Sequence, residues 1–405
     1  MRNLRSLLLA LVAVISFVAC GGPTEEPPPA PEESAVEPAV EPSAPVADQA
    51  PAVDETPAVD EPSPEAEPSF EPARRPGTPP EINKEGKIIW RPDLWENPPL
   101  GLPPVPDPRY NRSNNKKADL GRRLFFDKRL SKDGTVSCAS CHHPSLGFSN
   151  AQRFSPGIGG QVGTRNAPTI YNVAYATEVF WDGRSKTLEH QAIGPIINPI
   201  EMGNTINDLV KTVNALQDYR TLFREAFNDP RKIMDWEIVR AIAAFERTIL
   251  SGDAPYDRFK AGELSALSAE AKRGLAVFEG RGRCVLCHGG ANFTDGRYHN
   301  IGVGTGDEEV DVGRMTVTTK EGDWAKFKTP TLRNNAVTGP YMHDGSMTSL
   351  EEVVTHYVKG GIPNKNLDPL FRPLDLTKKE QADLVTFLEE GLTREIEIPI
   401  PTYDE

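Results

Sequence analysis

Cys138-Ala139-Ser140-Cys141-His142 and Cys284-Val285-Leu286-Cys287-His288 decide how the rest of this sequence is read. Two cysteines two residues apart, followed at once by histidine, form the attachment sequence of a c-type haem. The thiols become thioethers and the histidine binds iron from one face. A zinc site or a redox dithiol also uses paired cysteines, but a zinc ion closing both pairs gives His142 and His288 no role. Four of the five cysteines, Cys138, Cys141, Cys284 and Cys287, are therefore committed to two covalently bound haem c groups, with His142 and His288 as proximal ligands.

Outward from the first motif, toward the start, the chain opens with Arg2 and Arg5, an apolar run from Leu7 to Val18 and small Ala19. This is the layout of a secretory signal, residues 1–19, and the run is too short to span a bilayer. Phe17-Val18-Ala19-Cys20-Gly21 resembles a bacterial lipoprotein cleavage box, which makes Cys20 the lipid-bearing first residue of the mature chain. The alternative is an ordinary signal with Cys20 trimmed away. Export suits haem c, which bacteria attach outside the cytoplasm, so the expected place is the periplasm, with the lipid as the sole anchor to the outer membrane.

Residues 20–85 are rich in Pro, Glu, Ala and Val and poor in aromatics, too little apolar surface to offset the entropy of ordering. They read as a disordered tether, extended by its prolines. Residues 21–80 carry 14 acidic residues against 2 arginines, so the net charge of −13 leaves only −3 on residues 81–405. The acidic balance therefore belongs to the tether and gives no ground for a basic partner docking on the folded part.

The folded remainder is long enough for two domains and patterned mainly as helix. Asp235 to Leu250 places Trp236, Val239, Ile242, Phe245 and Ile249 at helical spacing. Ser349-Leu350-Glu351-Glu352 and Thr377-Lys378-Lys379-Glu380 read as capping boxes, the second opening a helix with Leu384, Phe387, Leu388 and Leu392 on one side. Long Gly, Pro and Asn-rich stretches at 144–170 and 289–313 are suited to wrapping a haem. Ala118 to Phe126 (ADLGRRLFF) precedes the first motif much as Ala271 to Phe278 (AKRGLAVF) precedes the second. The expected architecture is mainly α, with two cytochrome c-like haem domains at 86–262 and 263–405 behind the tether.

The sixth iron positions decide between a carrier and an enzyme. Between His142 and Trp181 there is no Met and no His except adjacent His143, which leaves the first iron open. Gly157-Ile158-Gly159-Gly160 and Gly302-Val303-Gly304 lack the following Lys-Ser/Thr of a phosphate loop, and no basic, aromatic-interleaved patch suggests nucleic acid.

Further blocks carry a resemblance: Arg165-Asn166-Ala167-Pro168-Thr169, Phe180-Trp181-Asp182-Gly183-Arg184, Gln191-Ala192-Ile193-Gly194-Pro195, Asn198-Pro199-Ile200-Glu201-Met202, Lys328 to Asn334 and Pro340 to Ser346. In this order they resemble the bacterial di-haem cytochrome c peroxidase and MauG superfamily, over about Leu120 to Thr393. The resemblance implies that peroxide reacts at the first haem, with Glu201 moving the proton that O–O cleavage requires. It implies that Gln191 orients peroxide and that Trp181 relays charge between the haems. It also implies a calcium ion held by Asn166 and the carbonyls of Thr338 and Pro340, oxygen ligands that suit this hard cation. His299 and His343 fall in family blocks and are expected at haem edges or propionates.

Two departures are informative. Where the His-Met peroxidases of the family have methionine, fourteen residues after the histidine matching His343, this chain has Tyr357, as the MauG branch does. A phenolate donates to iron and favours its oxidised states, so Tyr357 implies a second haem able to store an oxidising equivalent. His356 is the competitor, its side chain about 100° around the helix; Met342, Met347 or no ligand are the remaining choices. Reductively activated members carry a histidine that plugs the first haem, and Ile158 stands in that region, so no reductive priming is expected.

Three functions follow. The first is reduction of hydrogen peroxide to water, with electrons from a small periplasmic cytochrome c or cupredoxin through the second haem. The second uses peroxide to oxidise an aromatic side chain of a partner protein through a high-valent di-haem state, as MauG-like enzymes do. The third is a non-catalytic electron carrier. Either a monomer or a homodimer is compatible with the sequence.

Overall fold

The related segments ahead of the two haem motifs fold as helices that each cross a second helix at a glycine. The computed structural model describes residues 80–229 and 231–403; the signal, Cys20 and the tether as far as residue 79 lie outside the described residues. Eleven α-helices occur among them: α1 (Asn115–Phe126), α2 (Cys138–Cys141), α3 (Leu188–Ile197), α4 (Ile206–Ala215), α5 (Gln217–Phe227), α6 (Asp235–Glu246), α7 (Pro255–Lys260), α8 (Ala269–Glu279), α9 (Met315–Thr318), α10 (Leu350–Lys359) and α11 (Lys378–Thr386). Phe387–Gly391 prolongs α11 as a wider π turn. Strands are minimal: β1 (Ile88–Ile89) pairs in parallel with β4 (Ile396–Glu397), and β2 (Tyr298–His299) pairs antiparallel with β3 (Phe327–Lys328).

Helix α1 starts where the Asn114 side chain accepts from Lys117 N, and α8 where Ser268 accepts from Ala271 N. Each then lies across its partner, α1 on α6 and α8 on α11. A Cβ at Gly121 would collide with Ala241 O and crowd the Phe245 Cβ; at Gly274 it would collide with Asp383 O and crowd the Phe387 Cβ. The two glycines hold the same place in the repeat, and the absence of a side chain sets the close approach of the backbones.

Two cores result. Leu120, Leu124 and Phe125 of α1 meet Ile238, Ile242 and Phe245 of α6; Ala271, Leu275 and Phe278 of α8 meet Leu384, Phe387 and Leu388. Each such buried large side chain contributes about 1.5–3 kcal/mol by leaving water. The C-terminal segment crosses back, so that Ile396 and Ile398 belong to the first core. In the second half, the Asp257 carboxylate takes both arms of the Arg333 guanidinium at 2.8 and 2.9 Å, with both side chains sealed from solvent.

Several local expectations change. Residues 81–85, read as the end of the tether, already fold onto β1: Ile89 N donates to Glu81 O, and Ile82 bridges Ile88. Helix α6 ends at Glu246, and its Trp236, expected on the buried side, is 37% exposed beneath the Arg240 guanidinium. The first turn overhangs the core there, and the indole finds a cation instead of a cavity. Thr377 and Glu380 form the reciprocal capping box, whereas Glu352 turns its carboxylate to Thr348 N, leaving Ser349 as a one-sided cap. The stretches 144–170 and 289–313 contain only short 3-10 turns and β2. Among the described residues no helix is long and apolar enough to cross a membrane.

Candidate active site

One cavity of about 750 Å³ is bordered by residues of both haem motifs. Cys141, Cys284 and Cys287 border it with His142 and His288, and Cys138 packs against the first core. The imidazoles are set identically: Nδ1–H of His142 donates to Phe148 O at 3.0 Å, and Nδ1–H of His288 donates to Phe293 O at 3.0 Å. Burial pushes both below the usual histidine range, so each ring is neutral. A neutral ring with Nδ1 occupied turns the Nε2 lone pair to the metal, the arrangement iron ligation requires. The donor set therefore fits two covalently attached haems.

Gln191 on α3 and Glu201, just beyond it, border the same cavity as His142. The Glu201 Oε1 accepts from Asn198 Nδ2 at 2.7 Å, and its backbone carbonyl accepts from Ile158 N at 2.8 Å. Burial raises the Glu201 carboxyl above its ordinary range, while the Asn198 bond and the Arg184 charge oppose that rise. Ile158 itself packs against the first core. Trp181 borders the cavity, and its Nε1–H donates to Asn166 O at 2.9 Å while its own carbonyl accepts from Lys328 N. Arg165 fixes this stretch by bridging Asp182 (2.6 Å) and Asp311 (2.6 Å).

Of the two neighbours on α10, Tyr357 borders the cavity and His356 turns away. His356 Nε2–H donates to Ile301 O at 2.8 Å. The Tyr357 ring leans on Phe371 at 4.7 Å, and burial raises the phenol's pKa. Met342 also borders the cavity; Met347 is not among its lining residues.

Asn166, Thr338 and Pro340 border the cavity as well. Asn166 Nδ2 donates to Gln152 O at 2.9 Å; its Oδ1 and the carbonyls of Thr338 and Pro340 accept no hydrogen bond among the described residues. Three free oxygens are a donor set that fits calcium. His299 lies between Asp368 (2.6 Å) and Asp295 (3.0 Å). A free Cys287 thiol would raise its pKa most, against burial, and the two carboxylates raise it further. With Cys287 in a thioether only the carboxylates remain to raise it, and His299 links Asp295 to Asp368 by hydrogen bonds. His343 stacks on Phe327 at 3.6 Å, buried.

Asn198 and the Asn166 carbonyl were not singled out in the sequence. The first lies three residues before Glu201 inside a recognisable block, a usable signal. The second is a backbone atom and leaves none.

The sequence pattern of the di-haem cytochrome c peroxidase family matches residues 115–265. The methylamine utilization protein MauG of Methylorubrum extorquens is 42% identical over 285 residues, which is 70% of this chain and 80% of that protein. The chain belongs to the di-haem cytochrome c peroxidase/MauG family. Cytochrome c551 peroxidase of Nitrosomonas europaea is 41% identical over 243 residues, 60% of this chain and 72% of that protein. Among solved structures, a MauG-like protein associated with microbial copper homeostasis superposes with a TM-score of 0.69 at 35% identity, covering 74% of this chain and 95% of that one. The family's two names mark the two enzymatic outcomes open to this cavity.

Proposed function

We propose that this protein is a di-haem peroxidase that reduces hydrogen peroxide to water at the haem of His142, with electrons delivered through the haem of His288. The observation that carries the reading is Glu201: a half-buried carboxyl held by Asn198 on the cavity that also takes His142. When bound, the haem supplies the electrons and the open iron position that peroxide needs. The chain's part is proton management. Glu201 takes a proton from one oxygen of hydrogen peroxide and returns it to the other, so that two electrons and two further protons yield two waters. Gln191 holds the substrate's orientation from the same wall. Trp181, pinned by Asn166, carries charge between the two cytochrome c-like halves, and calcium on Asn166, Thr338 and Pro340 stiffens that joint.

The electron donor is a small periplasmic cytochrome c or cupredoxin, and the chain is anchored by a lipid on Cys20 at the outer membrane. Turnover of hydrogen peroxide with a reduced small cytochrome tests the main reading; ferric protein that ignores peroxide until it is pre-reduced would overturn the unprimed site assigned to Ile158. A second reading, oxidation of an aromatic side chain in a partner protein, is favoured by one observation: Tyr357 borders the cavity where His356 does not. Steady-state peroxide turnover with reduced cytochrome separates the two readings, and electron paramagnetic resonance of the ferric protein beside Tyr357→Phe and Met342→Leu assigns the second-haem ligand. Tyrosine ligation requires the second-haem signal to change in Tyr357→Phe alone.

A further inference from the structure

Glu246 is a second carboxyl on the cavity, and the chemistry above leaves it unused. It ends α6, is 5% exposed and borders the cavity together with Glu201 and Gln191. Neither carboxyl oxygen has a hydrogen-bond partner among the described residues, and Oε2 is sealed from solvent. Its sequence neighbour Arg247 could have neutralised it but is committed to Glu189 at 2.9 Å.

The fold does not require an acid there. Gly121, Ala241 and Phe245 of the first crossing correspond to Gly274, Asp383 and Phe387 of the second. Glu246 follows Phe245 as Leu388 follows Phe387. Leu388 is 6% exposed and borders the same cavity beside the second haem motif. One repeat thus presents leucine to its haem, and the other presents a carboxyl that leucine could replace sterically.

Burial pushes the Glu246 pKa up to about 8, opposed by Arg247 and aided by Glu189. The ionisable groups around it are few. From α3 come Glu189, held by Arg247 and Asn111, and His190, bonded to Ser185 Oγ. Lys117 of α1 is tied to Asn111 and the Arg112 carbonyl. Lys116, Asp119, Arg122 and Arg123 complete the charged groups of α1, and Asp208 and Lys211 those of α4; none of them contributes to the shift. From α2 comes Cys138, whose thiol senses both Glu246 and Glu201. Once Cys138 is a thioether, the variable charges left on this side of the cavity are the Glu201 carboxyl and the group that Cys138 and Cys141 would hold.

We propose that Glu246 is the redox-linked proton site of the first haem. An external one-electron reductant takes Fe(III) to Fe(II), and the Glu246 carboxylate takes one proton from solvent; oxidation reverses both. Electron and proton each raise the other's affinity, because the coupling of two sites is reciprocal. Glu246 is a positioning residue, acting through the haem and not on peroxide. The inference rests on a haem at Cys138 and Cys141 alone and stands apart from the peroxide reading.

The test is a potentiometric titration of the holoprotein without peroxide, between about pH 5 and about pH 9, the range over which a raised carboxyl titrates. Cyanide binding assigns the signals to the open and closed irons. The first-haem potential is expected to fall by up to ~59 mV per pH unit, one proton per electron, over part of the range. Glu246→Gln and Glu246→Leu flatten that dependence, leave the second haem's as it was, and Glu246→Asp restores it with a displaced midpoint. A pH-independent first haem in the unmodified protein, or a slope that survives in Glu246→Gln, overturns the proposal. Infrared difference spectra of the unmodified protein labelled at glutamate give a measurement that no folding defect can spoil. At a pH inside the window of that slope, a carboxylic acid C=O band must grow on reduction, and its absence there overturns the proposal equally. Loss of peroxide turnover with the slope intact would sink the peroxidase reading and not this one.

Discussion

The two halves around the cavity share their scaffolding and differ in what they show the haem. Each has a glycine-relieved helix crossing, a phenylalanine on that crossing, and a proximal histidine bonded to a phenylalanine carbonyl at the same 3.0 Å. The first adds Glu201 and Glu246; the second adds Tyr357 and Leu388. Positions that set backbone approach are constrained by sterics and stay alike. Those that face the ligand are limited only by volume and desolvation, so chemistry diverges there.

The strongest challenge to this contrast is Glu201→Gln, which keeps the shape and removes the proton acceptor. Peroxide kcat should fall by about 10²–10⁴-fold, the ordinary contribution of a positioned acid or base, with both haem spectra retained. An unaltered rate would make the first cavity wall as inert as the second. Next comes the Asp257–Arg333 ion pair, more deeply sealed than the Arg247–Glu189 pair of the first half. Asp257→Ala leaves Arg333 buried and unpaired, a loss of about 3–5 kcal/mol by chemical denaturation. A value under 1 kcal/mol would mean that the guanidinium reaches solvent.

The shared scaffolding predicts a matched pair of losses. Gly121→Ala and Gly274→Ala each force a methyl group against a facing backbone carbonyl and should each destabilise by about 1–3 kcal/mol. If only one does, the repeat is one of sequence and not of packing. The last prediction is the pH response of stability. Glu246 is raised from 4.5 unfolded to about 8 folded, so between these values the folded state holds more protons than the unfolded. Its contribution is fully present below pH 4.5 and is lost as pH rises through about 8. Melting temperature should decline across that window, and Glu246→Gln should decline less.

Much of this was legible in the sequence because haem attachment fixes residue identity as well as spacing. The two motifs, the proximal histidines and the helical character needed no coordinates; the repeat of ADLGRRLFF and AKRGLAVF was visible as well, but not that its shared glycine is where the helices cross. Glu201 and Tyr357 could be named from resemblance, but their facing could not. A helix admits one of His356 and Tyr357 to the cavity, and the choice depends on the Ile301 carbonyl, 55 residues away in sequence. Glu246 was invisible for a related reason. Periodicity assigns residues to a buried face without saying whether protein or ligand lies beyond it.

The return of Ile396 and Ile398 to the first core, with Tyr403 bonded to the Arg123 carbonyl, has a consequence for damage. A protease that nicks the chain after Leu392 would leave every residue of the nearer helix crossing in place. The injury would register at the opposite end of the sequence, where the unlatched core loosens around the porphyrin of His142. Assembly runs under the same constraint, for a core laid down between Ile88 and Leu250 is clasped shut only by Ile396 and Ile398.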